Sequence, residues 1–423
     1  MTKSTQPEKN PELDNNAIPE QGRRVAHQHE RKPTLRQSSE IGFRADPEIR
    51  RSRSISLGKT ARQLARKPAF RQSSRIGFQA IPEQGRRVAP FKKYLIRFAN
   101  LLLPLLASLA AGALLILATG ENPLTAYARL FDSGFSCRAG AGHCALLTTL
   151  QFATPLIFSG LSALVALRGG FFSIGQAGQM LFGAAAACWI GSRFSLGAGL
   201  HPAAALLAAA AFGALWGLLP ALIREFSGAN EIIVTLLLNP IAGILVGFFP
   251  MERIQASAQL APMAPGTKFT VGFFLAVEAA LLIYLILRVT RFGLELRNAA
   301  QAPRFAQYAG IRAHLPVLET MLLSGALAGL AGAVEVLGVH YKFVSTFSAV
   351  NDFDGLIVAF AGGLHPLGAI LMSVILGGLR SGALVGLQIQ SGIPRELGGA
   401  LIALLLIFAA MHRFYRVNGK AGT

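Results

Sequence analysis

RVTRFGLELRNAAQAPRFAQYAGIR, Arg288 to Arg312, orients the rest of the chain. Five arginines (Arg288, Arg291, Arg297, Arg304 and Arg312) fall between two long apolar runs, Val271 to Leu287 and Val317 to Leu337. Arginine clustered between membrane spans marks the cytoplasmic side, because positive charge is retained there during insertion. The segment is also helix-capable, with Ala299, Ala300, Ala306 and Ala309 ahead of a terminating Gly310. A plain connector needs no such ordered surface, so the segment reads as a docking element for a cytoplasmic partner.

The chain around it has 423 residues, 52% of them hydrophobic and only 14% charged. That is too apolar for a soluble protein of this length and indicates the membrane class. The formal charge of +19 is uneven, +13 over residues 1–100 and +6 over the remainder. A basic tail can meet anionic lipid headgroups or nucleic acid, but a solvated, disordered segment is the simpler reading, and no nucleic-acid partner is expected.

Residues 1–90 are polar and repetitive. AIPEQGRRVA stands at Ala17–Ala26 and again at Ala80–Ala89, while RKPxxRQSSxIGF stands at Arg31–Phe43 and at Arg66–Phe78. The blocks recur in swapped order, whereas a stacked array keeps one order and one period. This tail is therefore set aside from the fold, leaving a transmembrane domain over 91–416 and a short cytoplasmic tail over 417–423. Gly58-Lys59-Thr60 imitates the end of a phosphate loop, but Arg53 occupies the place of that loop's first glycine.

After Lys92, Lys93 and Arg97, the run Leu101–Thr119 can cross a hydrocarbon core of about 30 Å. Alternating sides then place Glu121–Thr149 outside, Arg168 inside, Ser192–His201 outside, Arg224 and Glu225 inside and Met251–Thr270 outside. Arg288–Arg312 falls inside, in agreement with its own charge. Gly362-Gly363-Leu364-His365-Pro366 and Gly392-Ile393-Pro394 interrupt later apolar runs, which predicts broken or re-entrant helices. Arg413, Arg416 and Lys420 return the C-terminus to the inside. The expected fold is an all-α polytopic bundle of eight to ten transmembrane helices, with ten favoured. Small residues, as in Ala203–Ala211 and Ser324–Gly332, let those helices approach closely.

Polar groups at membrane depth point to function. One set is Phe172, Ser173, Gln176 and Gln179, which either begins a helix capped by Ser173 or lines a pathway. A second is Asn230, Glu231, Thr235 and Asn239; Thr235 and Asn239 are four apart and share a helix face, and the alternative is an N-cap followed by a kink at Pro240. A third is the acidic turn Asn351–Gly355, with Asp352 taken as its candidate. Cys137 and Cys144 share one hydrophilic loop and can form a short bridge; a metal site with His143 lacks a fourth ligand. No catalytic constellation appears in the sequence, which argues against an intramembrane enzyme and favours transport powered from elsewhere. An ion-coupled secondary transporter would need a charged relay, for which Glu278, Glu319 and Glu335 are the candidates.

With these residues in view, the chain resembles the permease subunit of bacterial ABC importers of the branched-chain amino acid and simple-sugar superfamily. It is most similar to the nucleoside and simple-sugar branch. The matching passages are Gly120–Leu124 with Tyr127, Thr154–Leu156 with Gly160-Leu161, FFSIGQAGQ, GALWGLLPALIREFSGANEIIVTLLLNPIA, LRNAAQAPRFAQYAGI, SGALAGLAGA and FDGLIVAFAGGLHPLG. The chain departs from the family at Ser173, Ala177, Val350 and Asp352. The resemblance implies an inner-membrane subunit for a neutral polar solute, a nucleoside or simple sugar, with branched-chain amino acids as the variant. It implies a second permease, cytoplasmic ATP-binding subunits that use the ATP, and an extracytoplasmic solute-binding protein. This chain itself would bind no cofactor. Arg291, Gly293, Arg297, Pro303, Ala306, Tyr308 and Gly310 would belong to a coupling helix seated in the ATPase.

Overall fold

The computed structural model describes residues 106–137, 144–197, 199–248, 252–301, 306, 308, 310, 314–344, 353–394 and 396–404. The repetitive tail, Asp352, Pro303 and the C-terminal basic residues lie outside them.

The described residues are helical, with one isolated bridge between Pro262 and Thr270. The helices are α1 (Leu106–Ala118), α2 (Pro123–Phe135), α3 (Ala145–Arg168), α4 (Gln176–Arg193), α5 (Leu200–Ser227) and α6 (Glu231–Val246). Then follow α7 (Gly272–Val289), α8 (Arg291–Gln301), α9 (His314–Glu335), α10 (Asp354–Ala361) and α11 (Pro366–Gly382). Two wide π-helical turns, Val336–His340 and Ala383–Ile389, extend α9 and α11.

Among the described residues five helices are long and apolar enough to cross a membrane, or six if α1 and α2, bent by 111°, count as one span. Three other segments fail that test for identifiable reasons. α4 is buried along nearly its whole length, so it can carry Gln, Ser and Cys where a lipid-facing helix could not. α6, with 16 residues, is short, and α10, with 8, covers only about 12 Å. The break expected at Gly362–Pro366 is present as a tight turn, with Gly363 at φ 80° and Leu364 at φ 54° between α10 and α11.

The contacts between elements sort the connections into two ends. At one end Arg168 Nε donates to Leu364 O at 2.8 Å, Arg224 lies over the Phe171 ring at 5.2 Å and pairs with Glu231 at 3.4 Å, and α8 packs against the C-terminus of α3. At the other end Gln255 N donates to Gly191 O, His201 Nδ1 meets Ser257 Oγ, and Ile254 N donates to Tyr341 O. Arg168, Arg224 and Arg288–Gln301 therefore share one end, and Ser192–His201 shares the opposite end with the described part of 251–270, as the alternation of polar breaks requires.

α3 is the axis, buried from Ala153 to Ala166. Around it α4, α5 and α9 meet through glycines, because lipid supplies no hydrophobic drive between helices and only close backbone contact supplies enough dispersion energy. A Cβ on Gly329 would strike the Ala209 carbonyl oxygen of α5, and one on Gly325 would strike that of Gly213. Gly329→Leu is therefore expected to cost at least about 1–3 kcal/mol. It should be seen as loss of the monodisperse peak and a lower melting midpoint in detergent, whereas Gly197→Leu, where a Cβ meets nothing within 4 Å, should behave as wild type.

Candidate functional site

Between α3 and α4 the chain leaves the helix for seven residues, 169–175, opening with Gly170 at φ 74°. Buried backbone groups freed by such a break need partners. α6 supplies them. Asn239 Oδ1 accepts from Gly178 N at 3.0 Å while its Nδ2 donates to Ile174 O at 2.9 Å. Thr235 Oγ1 accepts from Ile174 N at 3.2 Å and donates back to Glu231 O in its own helix at 2.8 Å. The two polar sets predicted separately thus meet, and Thr235 and Asn239 act as a staple on the broken backbone.

The remaining members divide. Asn230 caps α6, its Oδ1 accepting from Ile232 N at 2.9 Å, as N-cap chemistry expects. Glu231 holds Arg224. Ser173 Oγ accepts from Gly175 N at 3.2 Å, and Gln176 Nε2 donates to Ser173 O at 3.1 Å. Phe172 packs on Phe360, with ring centroids 6.3 Å apart. Buried polar atoms without a protein hydrogen-bond partner include Gln176 Oε1 and both amide atoms of Gln179.

α8 lies within the arginine-rich segment. Leu296 and Gly293 are buried against the bundle, while Arg291, Leu294 and Arg297 are exposed. Arg297 Nη2 donates to Leu287 O at 3.4 Å. A Cβ at Gly169 would stand 3.1 Å from Leu296 Cδ1, and one at Gly170 3.5 Å from Ala300 Cβ, so α8 rests directly on the α3–α4 bend. Further along, Ala306 is buried, Tyr308 is 92% exposed, and Gly310 has φ 79°. At the opposite end of the bundle the sulfurs of Cys137 and Cys144 are bonded.

One feature was missed in the sequence. Arg380 of α11 forms an ion pair with Asp354 at the start of α10, and both side chains are largely buried. The pair lines a cavity of about 360 Å³ with Phe152, Ile357, Gln388 and Ile402. The signal was available: Arg380 is a lone cation inside the apolar run Leu371–Leu387, and such a residue needs a named counter-ion.

A bundle of membrane-spanning helices with interrupted segments, an amphipathic helix at its arginine-rich end and a cavity holding a charged pair at depth defines a multi-pass transport protein. The chain belongs to the family described as branched-chain amino acid transport system / permease component, whose model matches residues 145–410. It is 36% identical to the guanosine ABC transporter permease protein NupP of Bacillus subtilis over 344 residues, covering 77% of this chain and 97% of that protein. It is 29% identical to the nucleoside ABC transporter permease protein NupB of Lactococcus lactis over 74% of this chain and 91% of that one. It is 30% identical to a glucose ABC transporter permease protein of Haloferax volcanii over 76% and 89%. No solved structure matches the chain significantly.

Replacing Asn239 with Leu would strand Ile174 O and Gly178 N, at about 1–3 kcal/mol for each buried unpaired group. The melting midpoint of Asn239→Leu should fall well below that of Thr235→Val, which strands only Ile174 N among the groups outside α6.

Proposed function

We propose that this chain is the membrane permease subunit of an ATP-driven importer that carries a nucleoside or simple sugar across the bacterial inner membrane. The observation that carries the reading is near-complete alignment with a guanosine permease, 97% of whose length is covered at 36% identity. The apolar spans, and the pairing of Asp354 with Arg380 within them, agree with a neutral solute. A second reading, uptake of branched-chain amino acids, draws on the description of the matching family. One assay separates them: uptake of labelled guanosine, glucose and leucine by cells with and without this subunit. Uptake of guanosine or glucose that depends on the chain supports the first reading; dependence confined to leucine replaces it with the second.

In this reading the arginine-rich end faces the cytoplasm and the Cys137–Cys144 loop faces the oxidising side, where a solute-binding protein delivers its cargo. ATP is bound and hydrolysed by partner subunits, a second permease completes the channel, and lipid surrounds the apolar faces. The segment from Arg291 through Pro303 to Gly310 is the coupling element, offering Arg291, Arg297 and Tyr308 outward while Gly293 and Ala306 seat it on the bundle. Ser173, Gln176 and Gln179 border the solute route, and Asp352 belongs to the same stretch of chain as Asp354.

Arg297→Glu and Gly310→Leu should each lower uptake about tenfold or more without reducing the amount of inserted protein. ATP hydrolysis by the assembled transporter should persist, no longer stimulated by solute-loaded binding protein. Normal uptake in both variants would remove this segment from the coupling role. In a further check, an impermeant thiol reagent applied to intact cells should leave Tyr308→Cys unlabelled.

A further inference from the structure

We infer that the cavity between α3, α10, α11 and helical residues 396–404 is a solute-binding station at membrane depth, and that Asp354 and Arg380 bind hydroxyl groups of a ribose or sugar ring there. This deepens the functional reading above and rests on it.

Depth comes from α3. Gly355 packs on Ser159, which stands about 21 Å along α3 from Ala145 and about 14 Å from Arg168 at 1.5 Å per residue. The pair therefore lies near the middle of the span. A charged pair there is costly, and tying helices together does not require one, since apolar replacements of buried pairs are often neutral or stabilising. Nor do these helices need the tie: α10 and α11 already touch through Gly362 and Gly368, and α10 meets α3 through Val358 and Gly160.

Three features around the pair suit a polar ligand. α10 begins beside the cavity, and its N-cap residue Phe353 makes no side-chain cap, so first-turn N–H groups stand at the helix end that carries Asp354. α11 turns π-helical at Ala383, three residues past Arg380, and the wide turn carries Gln388 to the cavity; such turns recur at functional sites. Phe152 and Ile402 form an apolar wall.

The chemistry is that of a neutral polyol. The ion pair engages Oδ2 of Asp354, and a carboxylate has a second oxygen that accepts hydroxyl protons, while the guanidinium fork offers donors to hydroxyl oxygens. Among the described lining residues the charges of Asp354 and Arg380 cancel, so the pair itself offers an ionic solute no net counter-charge. The volume of about 360 Å³ falls in the range of small-molecule pockets, roughly 300–1,000 Å³.

The test reads the cavity without relying on the binding protein's own selectivity. In the full transporter, Gln388→Cys is modified with a water-soluble thiol reagent in the presence of guanosine, glucose or 2′,3′-dideoxyguanosine, and uptake of the first two is measured in parallel. Guanosine or glucose, whichever is carried, should slow modification at least about threefold, as expected for occupancy well above half, and dideoxyguanosine should not. Adding Asp354→Asn should abolish that protection; if that variant fails to assemble, Arg380→Lys, which keeps the charge but loses the planar fork, should weaken it. Transport without protection, equal protection by dideoxyguanosine, protection unaffected by the Asp354 or Arg380 change, or failure of the Gln388→Cys thiol to react at all overturns the inference and leaves the functional reading standing. Absence of guanosine and glucose uptake by the unmodified chain defeats the functional reading, and this site with it.

Discussion

Hydrocarbon offers no partner to a peptide N–H or C=O, and this constraint governs the structure. A regular helix satisfies itself, so each departure from helix must be answered by a neighbouring side chain. Residues 169–175 depart, and Thr235 and Asn239 answer. The arrangement fixes where α6 can lie, since its polar face is committed to Ile174 and Gly178, and it fixes the start of α4 as well. A lost hydrogen bond here costs more than at a surface because no water replaces it.

Close backbone contact is the second support. α4, α5 and α9 approach so nearly that their glycines cannot be enlarged, and α3 is packed by α9 on one side and by α10 and α11 on the other. The two sides differ in construction. The first is tight and glycine-lined; the second holds the cavity, the half-length α10 and a π-helical turn.

The class of the protein was readable directly from hydropathy and arginine placement, because a 30 Å hydrocarbon layer imposes span length and charge side on any sequence. The alternation of ends was readable for the same reason, and the structure groups Arg168, Arg224 and α8 accordingly. Roles at depth were less legible. Thr235 and Asn239 share a face by their spacing alone, but whether that face holds a solute or a backbone depends on residues 61 to 65 positions earlier, which no local pattern encodes. The pairing of Arg380 with Asp354 is not encoded locally either, since 26 residues and a tight turn separate the two. The helix count was blurred by α4 and α10, whose composition or length answers to protein neighbours rather than to lipid.

α8 lies one atomic layer from the Gly169–Gly170 bend through Leu296 and Ala300. The Leu296 side chain and the Ala300 methyl bridge that distance, as a short lever bears on its fulcrum. In the coupling role proposed above, a displacement of α8 would pass to the joint between the central column and α4 by direct contact, and through so short an arm the stroke would be small.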